Sequence, residues 1–372
     1  MSERTDGSPG AAPQARPPAG RTSAVAAPGG TGVEVPPVDE HTRVEEAAAA
    51  AGAERQPSWV VGRLAGVRSL GLVGVLVILA IVGVVTTDGQ FLTTGNILNI
   101  LVSASIIGVV TVGMTFVIIG GGIDLSVGAL VALASVWATT LQTQSYGPVV
   151  MVITALLVGM GAGLVNGGLI AYGRLVPFIV TLAMLVSARG LAQAMSDRRT
   201  QLVTVSKINA IATTEVFGIP LLVYLFAAVV AVGWVVLNRT TFGRRTFAIG
   251  GNAEAARLAG IDVRRHTALL YVLSGLCCGI AAIMIMARTT TGSSTHGDLY
   301  ELDAIAAVII GGTLLTGGRG TLVGSILGVL VFTTITNLFV LNNLPTEVQN
   351  IAKGLIIIAA VLLQRRGKEA GT

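Results

Sequence analysis

The stretch from Leu125 to Gly173 reads LSVGALVALASVWATTLQTQSYGPVVMVITALLVGMGAGLVNGGLIAYG and contains no charged residue in 49 positions. A helix that crosses a membrane needs about 20 apolar residues, so this stretch has room for two. Ser145-Tyr-Gly-Pro148 divides it, and glycine and proline are typical turn residues. The stretch therefore predicts two membrane-spanning helices joined by a short turn.

The composition of the whole chain agrees with this prediction. Of its 372 residues, 52% are hydrophobic and 12% are charged, whereas soluble domains carry about 25% charged residues. A soluble protein of this size needs more polar residues to cover its surface, which excludes an ordinary cytosolic enzyme. The two cysteines, Cys277 and Cys278, are adjacent in an apolar run, so they form neither a disulfide framework nor a zinc site.

Ten membrane-spanning segments are predicted when the rest of the chain is read outward from this stretch. Open sheets leave backbone groups unpaired in lipid, so the fold class is an all-α polytopic membrane protein. The segment that contains Asp303 is short and is the weakest of the ten. Besides the two in Leu125–Gly173, the segments are Ser69–Thr87, Gly89–Ile123, Leu175–Ala194, Val216–Asn238, Thr267–Ala287, Leu302–Thr316, Gly320–Leu341 and Pro345–Gln364.

The basic residues predict the orientation, because loops on the cytoplasmic side of a membrane carry an excess of Lys and Arg. With ten spans, one side receives Arg63, Arg68, Arg174, Arg239, Arg244, Arg245, Arg257, Arg264, Arg265, Arg319, Arg365, Arg366 and Lys368. The other side receives Arg198, Arg199 and Lys207, with Arg189 and Arg288 near helix ends. Both termini are therefore predicted to be cytoplasmic. Basic residues spread over helix ends indicate a membrane protein and no nucleic-acid partner.

Three regions are predicted along the chain. Residues 1–58 hold eight of the twelve prolines among many alanines and glycines, a composition that predicts a disordered cytoplasmic tail. Residues 59–366 form the transmembrane domain, and residues 367–372 form a short cytoplasmic tail.

The loop between the sixth and seventh segments predicts a short helix outside the membrane. It reads FGRRTFAIGGNAEAARLAGIDVRR from Phe242 to Arg265. Asn252 is a good N-cap, Glu254 favours the first turn, and Gly260 is placed to end the helix. Two readings are open: the helix docks onto a partner, or its flanking arginines bind anionic lipid headgroups.

A glycine-rich stretch, GGGIDLSVG from Gly120 to Gly128, predicts a break between two helices. Asp124 precedes Ser126 and resembles the N-cap of the next helix. An aspartate at membrane depth is also a functional candidate, because a charge there is costly. The capping role is favoured, and a position on a substrate path is the alternative.

Other polar residues lie within or beside apolar segments. Glu301 and Asp303 are two positions apart, so they do not face each other on a helix, and we expect them to cap it or to line a polar entrance. Lys353 either extends to the membrane surface or pairs with a carboxylate such as Glu347. Side chains of this kind usually face the interior of a helix bundle or a water-filled path, which makes candidates of Asn166, Asn337, Gln349 and Lys353.

Several chemical motifs are missing from the sequence. It contains no phosphate-binding loop of the form GxxxxGK[ST], and its three histidines form no HExxH zinc motif. Charges within the apolar segments are too few for a typical ion-coupled relay. Uphill transport by this chain would therefore take its energy from another subunit.

As a set, these segments resemble the permease subunits of bacterial ATP-binding-cassette (ABC) importers for ribose, xylose and related monosaccharides. The resemblance covers roughly residues 96–365. Its motifs occur in family order: Gly121–Gly128 (GGIDLSVG), Leu164–Gly167 (LVNG), Pro177–Leu182 (PFIVTL), Phe247–Ile261 (FAIGGNAEAARLAGI), Tyr300–Ala307 (YELDAIAA) and Gly311–Thr313 (GGT).

The resemblance implies a multi-pass permease of the bacterial cytoplasmic membrane. It implies a cytoplasmic ABC ATPase, an extracytoplasmic sugar-binding protein and a second permease copy as partners, and neither a catalytic residue nor a cofactor or metal in this chain. The short helix then couples the permease to the ATPase through Gly250, Gly251, Asn252, Glu254, Ala255, Arg257, Leu258 and Gly260. The substrate path is expected to involve Asp124, Asn166, Phe178, Thr181, Glu301, Asp303 and Asn337.

Other functions stay open at this level. A permease of the same superfamily would carry a nucleoside, an autoinducer sugar or a branched-chain amino acid, although the GGIDLSVG run favours the monosaccharide branch. An ion-coupled secondary transporter would work without an ATPase. An intramembrane enzyme would need a nucleophile–base pair or a metal cluster, and the sequence offers neither.

Overall fold

The computed structural model describes residues 58–369, and most of this range is helical. Of the tails predicted at residues 1–58 and 367–372, residues 1–57 and 370–372 lie outside the described residues. The helices are α1 (Ser58–Thr86), α2 (Thr94–Ile119), α3 (Val127–Ala138), α4 (Leu141–Ser145), α5 (Pro148–Ala171), α6 (Pro177–Ser196), α7 (Ser206–Thr213), α8 (Leu221–Arg239), α9 (Thr241–Gly251), α10 (Ala253–Leu258), α11 (Val263–Thr289), α12 (Tyr300–Ile310), α13 (Leu322–Leu341) and α14 (Thr346–Glu369).

Four two-residue strands form two small antiparallel pairs. Strand β1 (Gln201–Leu202) pairs with β4 (Thr291–Gly292), with Gln201 opposite Gly292. Strand β2 (Glu215–Val216) pairs with β3 (Ile219–Pro220). The first pair ties the loop after α6 to the loop after α11.

Each of the ten predicted membrane segments contains a helix. Six of these helices, α2, α5, α6, α8, α11 and α13, are long and apolar enough to cross a membrane. The predicted fold class, an all-α polytopic membrane protein, is confirmed.

Two of the predicted spans are corrected by the structure. Helix α3 has 12 residues and α12 has 11, so each rises only about 16–18 Å, about half of a 30 Å hydrocarbon core. Helix α3 is short because the glycine-rich stretch before it stays non-helical and Thr140 starts the separate helix α4. Helix α12 is short because it ends at Ile310, where Gly311 and Gly312 form a turn and Gly312 adopts a left-handed backbone with φ of +86°. We call α3 and α12 the half-helices.

Helices α2 and α11 form the centre of the bundle. Most of their residues are buried, whereas α5, α6 and α8 are largely exposed at the periphery. Helix α11 packs mainly against α5, α2 and α3. Along the α5–α11 contact, Gly159 faces the backbone of Gly275, and Gly163 faces the backbone of Tyr271. Small residues let the two helices approach closely.

One end of the bundle brings several helix ends together. The end of α2, the starts of α6 and α11, and the junction of α9 with α10 surround one cavity there. We call this end the α10 end. The opposite end carries α7 and the pairing of β1 with β4, which lies beside the end of α3.

The segment from Thr290 to Leu299, which we call the return loop, folds back along α3. The hydroxyl of Ser135 on α3 and Nδ1 of His296 form a hydrogen bond of 3.2 Å. Gly128, in the first turn of α3, lies against Gly297 and the carboxylate of Glu301. The return loop therefore brings the N-terminus of α12 beside the N-terminus of α3 inside the bundle.

Candidate functional site

Helix α10 is closed at both ends by local hydrogen bonds. The Asn252 side chain accepts a bond from the amide of Ala255 at 2.9 Å. At the other end, Gly260 has a φ of +83°. Its amide donates to Arg257 O, and the next amide, of Ile261, donates to Ala256 O, both at 3.0 Å. These two bonds form a Schellman motif. The predicted N-cap and C-terminal stop are both found, and the closure fixes a helix that would be marginal alone.

The surface of α10 is almost fully exposed. Only Ala256 is buried, and the apolar side chain of Leu258 is 78% exposed. Glu254 pairs with Arg257 one turn later, with Nε and Oε2 3.1 Å apart. The hydrogen bonds and charge of Arg257 hold the pKa of the Glu254 carboxyl below its usual value. The helix thus presents an ionised carboxylate, its arginine partner and one exposed leucine.

Basic residues surround α10. Arg244, Arg245, Arg264 and Arg265 are all exposed at the same end of the bundle. Helix α9, which sequence reasoning missed, carries the first two and supports α10 together with α11. The N-cap of α9 is Thr240, whose hydroxyl accepts a hydrogen bond from the amide of Gly243. Threonine is a preferred N-cap residue, so this helix start could have been recognised in the sequence. The arrangement is suited to docking on a complementary protein surface.

Three glycine turns meet behind α10. The amide of Gly318 donates to Ile119 O at 2.9 Å. Gly250, near the end of α9, lies directly against both of these backbone groups. Gly317 lies against Gly121, so close that a Cβ atom on Gly317 would be 2.8 Å from Cα of Gly121. Of the predicted coupling residues, Gly250 therefore contacts both the α2–α3 and α12–α13 connections, and Gly251 lies against Gly318.

Asp124 is completely buried and is held by neutral donors. Its Oδ1 accepts bonds from the amide of Ser126 at 3.0 Å and from the Ser126 hydroxyl at 2.6 Å. Its Oδ2 accepts a bond from the hydroxyl of Ser274 on α11 at 2.8 Å. The capping role favoured for Asp124 is wrong, because Ser126 is the N-cap of α3 and no side chain bonds to the first turn of the helix. Asp124 instead joins the break before α3 to the central helix α11.

Asn166 extends this buried cluster to α5. Its Nδ2 donates to the Ser126 hydroxyl at 2.9 Å. Its Oδ1 is buried and has no hydrogen-bond partner among residues 58–369. The nearby Tyr271 hydroxyl donates to Ile123 O at 3.2 Å. Two predicted path residues, Asp124 and Asn166, are thus brought together through Ser126.

Asp303 and Lys353 form a buried ion pair. Lys353 Nζ lies 3.2 Å from both carboxylate oxygens of Asp303, and the side chains are 17% and 6% exposed, respectively. The same Nζ lies 5.4 Å from the ring centre of Phe332, a favourable cation–π distance. Lys353 therefore pairs with a carboxylate, as one reading of the sequence expects, but with Asp303 rather than Glu347.

The other predicted path residues lie apart from Asp124. Phe178 is 53% exposed on α6. Thr181 is buried and donates to Pro177 O of its own helix at 2.9 Å. Asn337 exchanges bonds with Asn96 at 2.8 and 3.1 Å. Glu301 lies beside Gly128, and its Oε2 is buried without a hydrogen bond to a described residue.

Arg189 is a structural residue that sequence reasoning placed only near a helix end. Its Nη1 donates to Ser294 O at 2.6 Å and to His296 O at 2.9 Å. The same guanidinium lies 3.7 Å from Asp298. Burial, with a smaller contribution from the charge of Arg189, lowers the pKa of His296 to about 4. Arg189 thus fastens the return loop, and His296 is neutral near pH 7.

Comparison with known proteins places this chain in a family. Residues 96–361 match the family described as branched-chain amino acid transport system / permease component. The chain is 40% identical over 295 residues to the ribose import permease protein RbsC of Bacillus subtilis, covering 79% of this chain and 91% of that protein.

Two further relatives come from Escherichia coli K12. The ribose import permease protein RbsC is 36% identical over 306 residues, which cover 79% of this chain and 92% of the relative. The L-arabinose transport system permease protein AraH is 36% identical over 255 residues, which cover 66% and 75%. No solved structure matches the chain. This multi-pass membrane protein therefore belongs to the family of transport-system permease components matched over residues 96–361.

Proposed function

We propose that this chain is the transmembrane subunit of an ABC importer that carries a monosaccharide of the ribose or arabinose type across the bacterial cytoplasmic membrane. The observation that carries the proposal is its 40% identity to a ribose import permease over 91% of that protein. The arabinose relative supports the pentose class.

The energy enters, on this proposal, through a separate cytoplasmic ATPase. The chain contains no phosphate-binding loop of its own, and it contributes no catalytic residue. Helix α10 is exposed, rigidly closed at both ends and surrounded by arginines. It fits a groove on the ATPase, and closure of the ATPase pair on ATP then moves α10 relative to the bundle.

The α10 end faces the cytoplasm in this proposal, together with both termini. The densest group of basic residues lies at this end, in agreement with the positive-inside rule. The opposite end, with α7 and the pairing of β1 with β4, receives sugar from an extracytoplasmic binding protein. A second permease copy completes the path between the two halves.

A branched-chain amino acid permease is the second candidate, because the family description names that substrate. The two permeases differ in the solute that their binding proteins deliver. The sugar reading is favoured because relatives named for ribose and arabinose match most of the chain. An ion-coupled transporter that works alone is the third candidate.

Co-reconstitution distinguishes the candidates. The chain is placed in liposomes with the ATPase and the binding protein encoded beside it, and uptake of radiolabelled ribose, arabinose, xylose, glucose and leucine is measured. We expect ATP-dependent uptake of one of the sugars. Leucine uptake alone would establish the second candidate, and uptake that persists without the ATPase would establish the third.

A further inference from the structure

We propose that Gly121, Gly250 and Gly317 form a mechanical junction through which movement of α9 and α10 reaches both half-helices. We call these three residues the glycine junction. The inference rests on the proposed function, because it assumes that a partner moves α10. It adds the positioning residues through which that movement enters the membrane.

The contacts at the junction join backbone to backbone. A Cβ atom on Gly250 would lie 2.6 Å from the amide nitrogen of Gly318, and one on Gly317 would lie 2.9 Å from Gly250 O. Gly121 and Gly317 also have φ values of +84° and +81°, which residues other than glycine rarely adopt. The close approach thus depends on glycine at positions 250 and 317, whereas at position 121 the backbone angle favours glycine and a Cβ atom would lie 3.7 Å from Cα of Gly250.

The three backbone segments of the junction lie next to different parts of the polar interior. Gly121 precedes Asp124 by three residues, and Asp124 is bonded to Ser274 on α11. Gly317 follows α12, which carries Asp303 and its ion pair with Lys353. Gly250 is the penultimate residue of α9 and lies two residues before Asn252, the N-cap of α10. One displacement at α10 therefore acts on the segments beside both half-helices.

Direct backbone contact makes this transfer efficient. Packed helices are usually separated by side chains, which can change rotamer and take up a small shift. At the glycine junction no side chain lies between the three backbones, so a displacement of one moves the others. Packed interiors transmit such shifts because they compress little.

A cavity on one side gives the junction space to move. It has a volume of about 350 Å³ and is lined by Gly120, Gly121, Gly250, Asn252, Thr267 and Tyr271, among others. Tyr271 also donates to Ile123 O, just before Asp124. The cavity thus lies between the α9–α10 corner and the segment that holds Asp124, where a closing movement would reduce its volume.

The test compares two alanine variants in the co-reconstituted transporter. Gly250→Ala adds a methyl group at the junction, whereas Gly168→Ala adds one near the end of α5 where no atom lies within 4 Å. Both favour helix formation, so neither weakens its own helix. We expect Gly250→Ala to lower the sugar molecules imported per ATP hydrolysed by about tenfold, with ATPase binding and hydrolysis retained, a coupling change of the size that such networks allow.

A third variant covers a failure of Gly250→Ala to insert. Thr267→Leu enlarges a side chain that lines the cavity at a position outside the glycine junction. We expect it to lower the same ratio while the ATPase still binds. The proposal is overturned if the membrane-inserted Gly250→Ala variant imports as many sugar molecules per ATP hydrolysed as Gly168→Ala does. If Gly250→Ala does not insert, the same result for Thr267→Leu overturns it.

The same assay separates this inference from the proposed function. Absence of ATP-driven sugar uptake by the wild-type chain would contradict the proposed function and the junction with it. Normal wild-type uptake together with an unchanged ratio in the junction variants would contradict the junction alone.

Discussion

At the scale of single residues, the pair of Glu254 and Arg257 defines the charge of the exposed face of α10. The carboxylate lies in the first turn, where it complements the positive end of the helix dipole. Its partner lies in the last turn, near the negative end. This order stabilises the short helix and gives its surface a fixed polarity for a partner to recognise.

Reversal of the charge at position 254 is predicted to uncouple transport. Glu254→Arg places two positive charges one turn apart, which opposes both the helix dipole and a docked partner that complements the wild-type surface. We expect uptake to fall by about tenfold or more while the protein still inserts. Pull-down of the ATPase and uptake in liposomes measure the effect.

Glu215→Arg provides the matched control for this prediction. Glu215 is also exposed, but it lies in β2, before α8 and away from the α10 end. We expect it to leave ATPase pull-down unchanged. Wild-type pull-down and uptake by Glu254→Arg would refute the docking role of α10.

The three donors around Asp124 predict a stability effect. In Asp124→Asn, one oxygen is replaced by an NH₂ group, so the Ser274 hydroxyl loses its acceptor. We expect the loss of this buried hydrogen bond, which leaves the Ser274 hydroxyl without its acceptor, to destabilise the protein by about 1–3 kcal/mol. Thermal unfolding in detergent measures the change. Asp88→Asn, at an exposed position, is the control, and equal melting temperatures would contradict the prediction.

Local signals explain which residues could be predicted from the sequence. Asn252 and Gly260 lie next to the helix that they delimit, so their roles depend on neighbours in the chain. The partners of Asp124 and Lys353 are 150 and 50 positions away. Such partners depend on how helices pack, and no local pattern in the sequence contains that information.

At the scale of secondary structure elements, an ion pair joins α14 to α12. The main packing partner of α14 in the described part of the chain is α12, and Asp303 and Lys353 join the two helices. An ion pair in a low-dielectric environment is costly to break on one side, because the remaining charge stays buried.

A double-mutant cycle tests the role of this pair. Lys353→Met leaves Asp303 unpaired, and we expect it to destabilise the protein by about 3–5 kcal/mol. Addition of Asp303→Asn removes the orphan charge and is expected to restore most of the loss. Thermal unfolding of the two single variants and the double variant gives the coupling energy. Additive effects of the two substitutions would mean that the pair does not stabilise the α12–α14 contact.

The return loop predicts a dependence of stability on pH. The pKa of His296 in the folded protein is about 4, below the value of about 6.5 expected for an unfolded chain. The unfolded state therefore binds the proton first, and stability falls as the pH drops from about 6.5 to 4, by up to roughly 3 kcal/mol.

His296→Gln removes this titration and keeps polar atoms near Ser135 and Thr289. Unfolding temperatures measured between pH 7 and pH 4 are expected to fall less for the variant than for the wild type. His266, the other histidine in the described range, is present in both proteins, so its contribution to the pH dependence cancels when the two profiles are compared. Parallel pH profiles would show that the return loop does not bury a neutral histidine.

At the scale of the whole molecule, the apolar segments and the turns between them predicted the order along the chain of the helices in the ten membrane segments. The segment that holds α12 was already short in the sequence, at Leu302–Thr316. The length of α3 could not be predicted, because an apolar segment has the same composition whether it crosses the membrane or stops halfway. The return loop was missed for a related reason: its polar residues lie beside an apolar helix and gain their partners from Arg189 and Ser135.

The N-terminal region is predicted to be dispensable for transport. The family match begins at residue 96, and residues 1–57 hold most of the prolines and no aromatic residue. We expect deletion of residues 1–53 to leave the rate of sugar uptake unchanged within about twofold, because such a composition forms no packed core. Uptake by equal amounts of inserted protein measures this. A large loss of uptake would assign the region a role in the transport step.

The half-helices also have a consequence for how the protein is made. A helix of 12 residues is too short to hold a position across the bilayer by its own apolar contacts. Helix α3 therefore takes its place only when α5, α6 and α11 surround it, and α11 is synthesised more than 100 residues later. The long helices that precede α11 can therefore insert early, whereas the interior is completed late. A chain that stops before α11 lacks Ser274, to which Asp124 is hydrogen-bonded.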